Sequence, residues 1–102
     1  KAIEAYQEAL ELRPKHVQAW RVLGTLYAQA GQQQQGIEAL QRALEVAPNG
    51  SDAWDTHRML AILYSQVGNQ DTALTHAEQA LALAPEQQQG ELEQLVAQLE
   101  GS

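Results

Sequence analysis

One sequence segment occurs three times along this chain, and its spacing constrains the fold more than any other feature. The copies YQEALELRP from Tyr6, LQRALEVAP from Leu40 and AEQALALAP from Ala77 begin 34 and then 37 residues apart. A second segment repeats at the same interval, as LYAQAGQ from Leu26 and LYSQVGN from Leu63. Self-similarity at such a period predicts an array of structural repeats. Repeat arrays usually bind or scaffold along an extended surface, so the spacing favours a binding role over catalysis.

The residue types predict helices throughout. Ala, Leu, Gln and Glu dominate, Phe is absent and β-branched residues are few. Pro14, Pro48 and Pro85 each end an apolar-periodic stretch, and Gly31 and Gly68 suit the left-handed residue that closes a helix. Glutamine runs at 32–35 and 87–89 predict polar turns. We expect six helices, antiparallel to their neighbours, at about 1–12, 15–30, 33–46, 51–67, 70–83 and 89–100.

Length and charge exclude several classes of protein. A chain of 102 residues predicts one domain. The formal net charge of -7 disfavours nonspecific nucleic-acid binding, and no apolar run approaches the roughly 18 residues that insert into a membrane. The absence of Cys is compatible with the cytoplasm or the periplasm. Because the chain begins inside a repeat, at Lys1, we expect it to be part of a longer protein.

The repeated positions resemble a known family. The resemblance to the tetratricopeptide repeat (TPR) family rests on Trp20, Leu23, Gly24, Tyr27, Gly36, Leu40, Ala43 and Pro48. The next copy has Leu60, Ala61, Tyr64, Ala73, Ala77, Ala80 and Pro85, and a truncated first copy has Ala2, Tyr6, Ala9 and Pro14. The resemblance implies an all-α fold, a right-handed α-solenoid of antiparallel helix pairs forming a TPR-like superhelix.

The same resemblance implies a division of the chain. Residues 1–16 correspond to the second helix of a truncated repeat, 17–50 to a full repeat, and 51–87 to a full repeat with a three-residue insertion. Residues 88–102 correspond to a C-terminal capping helix. One face of that helix is apolar and consists of Leu92, Leu95, Val96 and Leu99.

Small residues predict close helix crossings within each repeat. Gly24 is expected to meet Gly36, and Ala61 to meet Ala73 in the next repeat. The truncated repeat lacks its first helix, so its apolar face of Ile3, Tyr6 and Leu10 is expected to be more exposed than in the parent protein. We expect this face to mediate self-association.

The second full repeat departs from the pattern. His57 stands where the first has Trp20, and Trp54 lies three residues earlier. The predicted insertion around 49–51 would add nearly one turn, about 4.5 Å, to the front of this helix. Ser51 or Asp52 is expected to cap it.

In the resembling family, ligands usually lie in a concave groove lined by the first helix of each repeat. The matching positions here are Gln18, Arg21, Thr25, Ala28 and Gln29, then Asp55, Arg58, Met59, Ile62, Ser65 and Gln66. Arg21 and Arg58 occupy equivalent positions and are expected to form a basic ladder for an acidic peptide or a C-terminal carboxylate. The alternative is that Asp55 pairs with both arginines.

A more specific partner is disfavoured. The carboxylate clamp of some TPR domains needs Lys and Asn at positions that Arg21, Thr25 and Met59 occupy here. No catalytic triad, carboxylate pair or phosphate loop is present, so no enzyme activity and no cofactor are predicted. His16, His57 and His76 lack metal-site spacing, and His57 is expected to pack opposite Ala77 with His76 nearby.

These observations predict a protein–protein interaction module that binds a peptide or partner protein in its concave groove. The alternative is a structural spacer or self-association segment of a larger multidomain protein. The expected partners are proteins or peptides, with no nucleic acid and no membrane insertion. Self-association would use the helix at 1–12.

Overall fold

The computed structural model describes residues 2–101 and contains, within that range, six α-helices and no strand. The prediction of an all-α fold is therefore confirmed. Lys1, where the first helix was predicted to begin, lies outside the described residues, as does Ser102. In chain order the helices are α1 (Ala2–Leu12), α2 (Val17–Gln29), α3 (Gln33–Val46), α4 (Ala53–Gln66), α5 (Gln70–Leu83) and α6 (Glu86–Glu100).

Two compact units divide the chain, residues 1–50 with α1 to α3 and residues 51–102 with α4 to α6. In the first unit α2 packs on α3 and on α1, and in the second α5 packs on α4 and on α6. The linkers inside the two pairs, 30–32 and 67–69, are short and reverse the chain. Each unit is therefore a helical hairpin with one further helix packed beside it.

Both hairpins turn at a glycine in the left-handed region, as predicted. Gly31 has a φ of 79° and Gly68 a φ of 86°. At the first turn the amide of Gln32 donates to the carbonyl of Tyr27 at 2.8 Å, and the amide of Gly31 donates to the carbonyl of Ala28 at 3.1 Å. This pair of hydrogen bonds satisfies carbonyls that the end of a helix leaves unpaired.

The caps at the helix starts differ from the predictions more than the glycine turns at the helix ends do. The side chain of His16 caps α2, since its Nδ1 accepts from the amide of Ala19 at 3.2 Å, which the sequence analysis missed. Asp52 occupies the cap position of α4 but makes no side-chain capping hydrogen bond, so the predicted side-chain cap there was wrong. Its backbone carbonyl instead accepts from the amides of Asp55 and Thr56, each at 3.1 Å.

Two helix starts differ by two or three residues from the approximate positions predicted. Helix α4 begins at Ala53 rather than at 51 and has 14 residues against 13 in α2, so the insertion mainly lengthens the linker at 47–52. Helix α6 begins at Glu86, and the glutamines at 87–89 lie in its first turn. Most of the run at 32–35 likewise lies in the first turn of α3. Glutamine is a good helix former, which suits both runs, and Pro85 in addition supplies a natural start for α6.

The apolar face of α1 is covered by its neighbour. Leu10 is only 6% exposed and belongs to one core cluster with Leu23 and Tyr27 of α2. Ile3 and Tyr6 are partly buried against the same cluster. Helix α2 therefore covers much of this face, while its exposure relative to the parent protein stays a prediction.

The helix crossings are close where small residues were expected. A Cβ on Gly24 would lie 3.2 Å from the carbonyl oxygen of Gly36. In the second unit Ala61 of α4 and Ala73 of α5 are fully buried in one cluster. Backbones can approach this closely only where side chains are absent or small.

Helix α6 closes the core of the second unit. Leu92 is 0% exposed and packs with Ala80 of α5 and with Ala84 just after that helix, and Trp54 of α4 is partly buried against this cluster. Leu99 lies in the cluster of Ala61 and Ala73, while Leu95 and Val96 pack beside it. The predicted apolar face of this helix is confirmed.

Candidate functional site

The predicted recognition residues of the first unit form one face of α2. Gln18, Arg21, Thr25 and Gln29 recur at helical spacing. Arg21 Nη1 donates to Gln18 Oε1 at 2.9 Å, and Thr25 Oγ1 donates to the carbonyl of Arg21 at 3.0 Å. Gln18 and Gln29 are exposed, whereas Arg21 and Thr25 are half-buried. The face therefore presents hydrogen-bonding groups around one guanidinium.

Helix α4 carries the equivalent face in the second unit. Arg58 Nε donates to Asp55 Oδ1 at 2.9 Å, and Nη2 of the same guanidinium donates to the same oxygen at 2.5 Å. The Arg58 side chain is 37% exposed and the Asp55 side chain 20% exposed. The guanidinium carbon also lies 6.0 Å from the centroid of the Trp54 ring, within reach of a cation–π contact.

The rest of the α4 face is more apolar than that of α2. Ile62 is exposed over 37% of its surface, Met59 and Ser65 are half-buried, and Gln66 is exposed. An exposed Ile beside a paired guanidinium can contact an apolar group of a ligand as well as a polar one.

The alternative predicted for the two arginines was that Asp55 pairs with both, and the structure shows one of these two pairs. Asp55 pairs with Arg58 on its own helix, as that alternative required. Arg21 has Gln18 as a hydrogen-bond partner on its own helix. Its predicted contact with Asp55 and the predicted ladder with Arg58 both stay predictions.

Two histidines form a cluster between α4 and α5. His57 Nδ1 lies 2.8 Å from His76 Nδ1, and the ring centroids are 5.1 Å apart. Since a ring nitrogen lies only slightly more than an ångström from its own centroid, the two nitrogens lie almost on the line between the rings. This is the geometry of an N–H···N hydrogen bond, in which one ring donates and the other accepts. A metal held by both would need the two nitrogens to converge instead.

Burial lowers the pKa of both histidines in this pair. Desolvation lowers the pKa of His57, and desolvation together with the nearby charge of His57 lowers the pKa of His76 to about 4. Tyr64 stacks on His76 with ring centroids 5.5 Å apart and planes 5° apart. The predicted proximity of His76 to His57 is confirmed, the predicted packing of His57 opposite Ala77 stays a prediction, and the direct hydrogen bond between the two rings was missed. Only the crossing of α4 and α5 brings the two rings together, since 19 residues separate them in sequence.

Residues 2–101 contain neither a metal-ligand cluster nor a membrane span. No group of three or more His, Cys, Asp or Glu side chains in this range could hold a metal ion. None of the described helices is both long and apolar enough to cross a membrane.

Comparisons with known proteins agree on one family. Residues 17–86 match a family model described as tetratricopeptide repeat, and residues 1–16 match a second model of the same description. Among curated proteins, none matches the sequence significantly.

Solved structures show the same fold at low sequence identity. A crystal structure of MamA aligns with a TM-score of 0.85 at 18% identity, over 97% of this chain and 55% of that one. A thermophilic TPR protein of Thermus thermophilus, TTC0263, aligns with a TM-score of 0.80 at 23% identity, over 98% of this chain and 48% of that one. The chain thus spans about half the length of the structures it matches. The predicted helical-repeat fold is confirmed.

Proposed function

The chain belongs to the tetratricopeptide repeat family, and from this premise we propose that it binds a peptide or partner protein through the polar faces of α2 and α4. Repeats of this family are generally protein-interaction modules without catalytic activity. The α2 face consists of Gln18, Arg21, Thr25 and Gln29. The α4 face consists of Asp55, Arg58, Met59, Ile62 and Gln66.

One recurring arrangement supports these faces. In each unit an arginine on the first hairpin helix receives support from the side chain three residues earlier, Gln18 for Arg21 and Asp55 for Arg58. The two pairs lie 37 positions apart, at the repeat period of the sequence. A guanidinium held in one orientation loses less entropy when it binds a carboxylate, and its planar fork matches two carboxylate oxygens. The ligand chemistry that follows is an acidic peptide or a C-terminal carboxylate.

The expected affinity is modest. The two arginines are partly exposed, so each should contribute only about 1–2 kcal/mol to binding. Contacts of this kind weaken as salt screens them, and a micromolar dissociation constant is the expected range.

The test uses an acidic peptide with a free C-terminal carboxylate, with calorimetry to measure its affinity. Arg21→Ala and Arg58→Ala should each weaken binding by about 1–2 kcal/mol. Asp55→Asn should strengthen it, because the amide oxygen can still accept from Arg58 and orient it, as Gln18 does for Arg21, while the negative charge that competes with the ligand carboxylate is gone. Arg13→Ala is the matched control, since Arg13 is exposed and lies outside both helices.

Two other results would contradict the proposed recognition faces or favour the alternative function. If both arginine variants remain folded and bind as well as the unchanged protein, recognition does not use these faces. If no peptide binds at all, the spacer alternative gains. Self-association through α1 stays a prediction, and the burial of Leu10 against α2 leaves less apolar surface for it.

A further inference from the structure

A groove of about 450 Å³ opens within the first unit and is lined by α1, α2 and α3. Its apolar floor receives one buried residue from each helix, Leu10, Leu23 and Ala39. Trp20, which is half-buried, lines the same groove. A concave apolar surface of this size suits one or two large side chains of a partner.

The rim of the groove is acidic on both flanks. Glu11 of α1 and Glu38 of α3 line it, and both side chains are exposed. Within the described part of the chain neither carboxylate has an ion-pair or hydrogen-bond partner. Helix α1 adds Glu4 and Glu8 and has no Lys or Arg between Ala2 and Leu12. Two carboxylates therefore face any ligand from opposite sides of an apolar floor.

A cation of the chain already lies beside an aromatic ring at this groove. Arg42, which also lines it, places its guanidinium carbon 5.9 Å from the centroid of the Trp20 ring. Its ion pair with Glu45 is long, at 3.4 Å, and both side chains are about two-thirds exposed. Exposed ion pairs of this kind contribute little to stability. A ligand cation can therefore displace Arg42 from the groove at a small cost in free energy.

We propose that this groove is a second binding surface, which takes a basic amphipathic helix of a partner protein. Apolar side chains of that helix would lie on Leu10, Leu23 and Ala39, and its Lys or Arg side chains would reach Glu11 and Glu38. This mode is the laying of an amphipathic helix into an apolar groove. It goes beyond the acidic-ligand faces proposed above, because it uses a different face of α2 and a ligand of opposite charge.

Trp20 provides a reporter at the site itself. The chain has two tryptophans, and Trp54→Phe leaves Trp20 as the remaining one. Two synthetic amphipathic helical peptides serve as probes. Both have the same leucine face, and all their remaining positions are lysine in one peptide and glutamine in the other. In the Trp54→Phe background, the lysine peptide should shift the emission of Trp20 with saturation, more weakly at high salt. The glutamine peptide should bind several-fold more weakly.

Charge variants then locate the site. Glu11→Gln and Glu38→Gln should each weaken binding of the lysine peptide about two- to fivefold. Arg42→Gln should tighten it by a similar factor, because it removes the competing cation. Glu91→Gln is the matched control, since Glu91 is exposed on α6 and does not line the groove. Circular dichroism checks that each variant remains helical.

Four results would overturn the proposal. The first is no saturable shift of Trp20 emission with the lysine peptide. The second is equal affinity for the two peptides, which would leave no role for the acidic rim. The third is an effect of Glu38→Gln no larger than that of Glu91→Gln, which would reveal general attraction to an acidic protein. The fourth is weaker binding by Arg42→Gln. None of them bears on the acidic-peptide test of the α2 and α4 faces, so the two proposals fail separately.

Discussion

At the scale of single residues, Gly24 shows how a missing side chain sets the distance between two helices. A Cβ at this position would lie 2.7 Å from Leu40 Cγ and 2.9 Å from Leu40 Cδ2. Leu40 is 0% exposed, so it has no free space into which it can withdraw. The hairpin of α2 and α3 thus depends on glycine at its crossing, which is a packing requirement and not one of backbone conformation.

Gly24→Ala is therefore expected to destabilise the protein. Overpacking costs about 1–3 kcal/mol, and the better helix propensity of Ala offsets about 1 kcal/mol of it, which leaves a net loss of about 0–2 kcal/mol. Urea unfolding measures it. Gly90→Ala is the matched control, because Gly90 lies inside α6 and a Cβ added there would have no neighbouring atom within 4 Å. That variant should gain about 0.5–1 kcal/mol, and a loss in it would contradict the packing argument.

The histidine pair makes a second prediction, on pH. The pKa of His76 falls to about 4 in the folded protein, and the pKa of His57 is also lowered, from an unfolded value of 6.5. The unfolded chain therefore binds more protons than the folded one between these values. The contribution of the histidine pair to the free energy of unfolding is therefore fully present above pH 6.5, and it is lost as the pH falls toward about 4.

The measurement is urea unfolding at several pH values across this window. The double variant His57→Gln with His76→Gln should lose less stability on acidification than the unchanged protein does. Because carboxylates also titrate at the acid end, the quantity that counts is the difference between the two proteins. His16 is left unchanged in both proteins, because its Nδ1 caps α2. An identical pH dependence in the double variant would show that the pair has the same pKa values in the folded and the unfolded chain.

At the scale of elements, α6 depends on α5 for its place. It carries six Glu or Gln residues in its first eight positions, and its stability comes from a narrow apolar stripe against α5 rather than from its polar surface. Leu92 is the most deeply buried member of that stripe. A single residue therefore contributes much of the contact between this helix and the core.

Leu92→Ala should cost about 2–5 kcal/mol, the range for removing a fully buried leucine side chain. Glu93→Ala, one position later and exposed, should change the stability by less than about 0.5 kcal/mol. Hydrogen exchange in α6 reports the effect directly, since the helix should open more often in the leucine variant. Equal exchange in both variants would mean that α6 is held by contacts other than this stripe.

At the scale of the whole molecule, two kinds of surface differ in the sign of their charged side chains. The net charge is -7, yet α2 and α4 each present an arginine at the same repeat position. The groove lined by α1, α2 and α3 carries exposed glutamates around an apolar floor. Ligands of opposite charge are therefore expected at the two kinds of surface, and an increase in salt should weaken both interactions.

The sequence by itself determined the features that depend on near neighbours. The repeat period, the all-α class, the bounds of α3 and α5 and the two glycine-closed turns follow from spacing and from backbone preferences within a few residues. The equivalence of Arg21 and Arg58 follows from the same period. Such features are readable because a helix relates residues three and four apart in a known way.

The tertiary structure decided which distant side chains meet. The hydrogen bond of His57 with His76, the position of Arg42 over Trp20 and the burial of Leu10 all join residues on different helices. The exact helix starts at Ala53 and Glu86 also escaped prediction, because a longer linker with a shorter helix gives the same repeat period as a shorter linker with a longer helix. These contacts depend on how closely and at what angle two helices pack, and that geometry is set jointly by many side chains rather than by any local pattern.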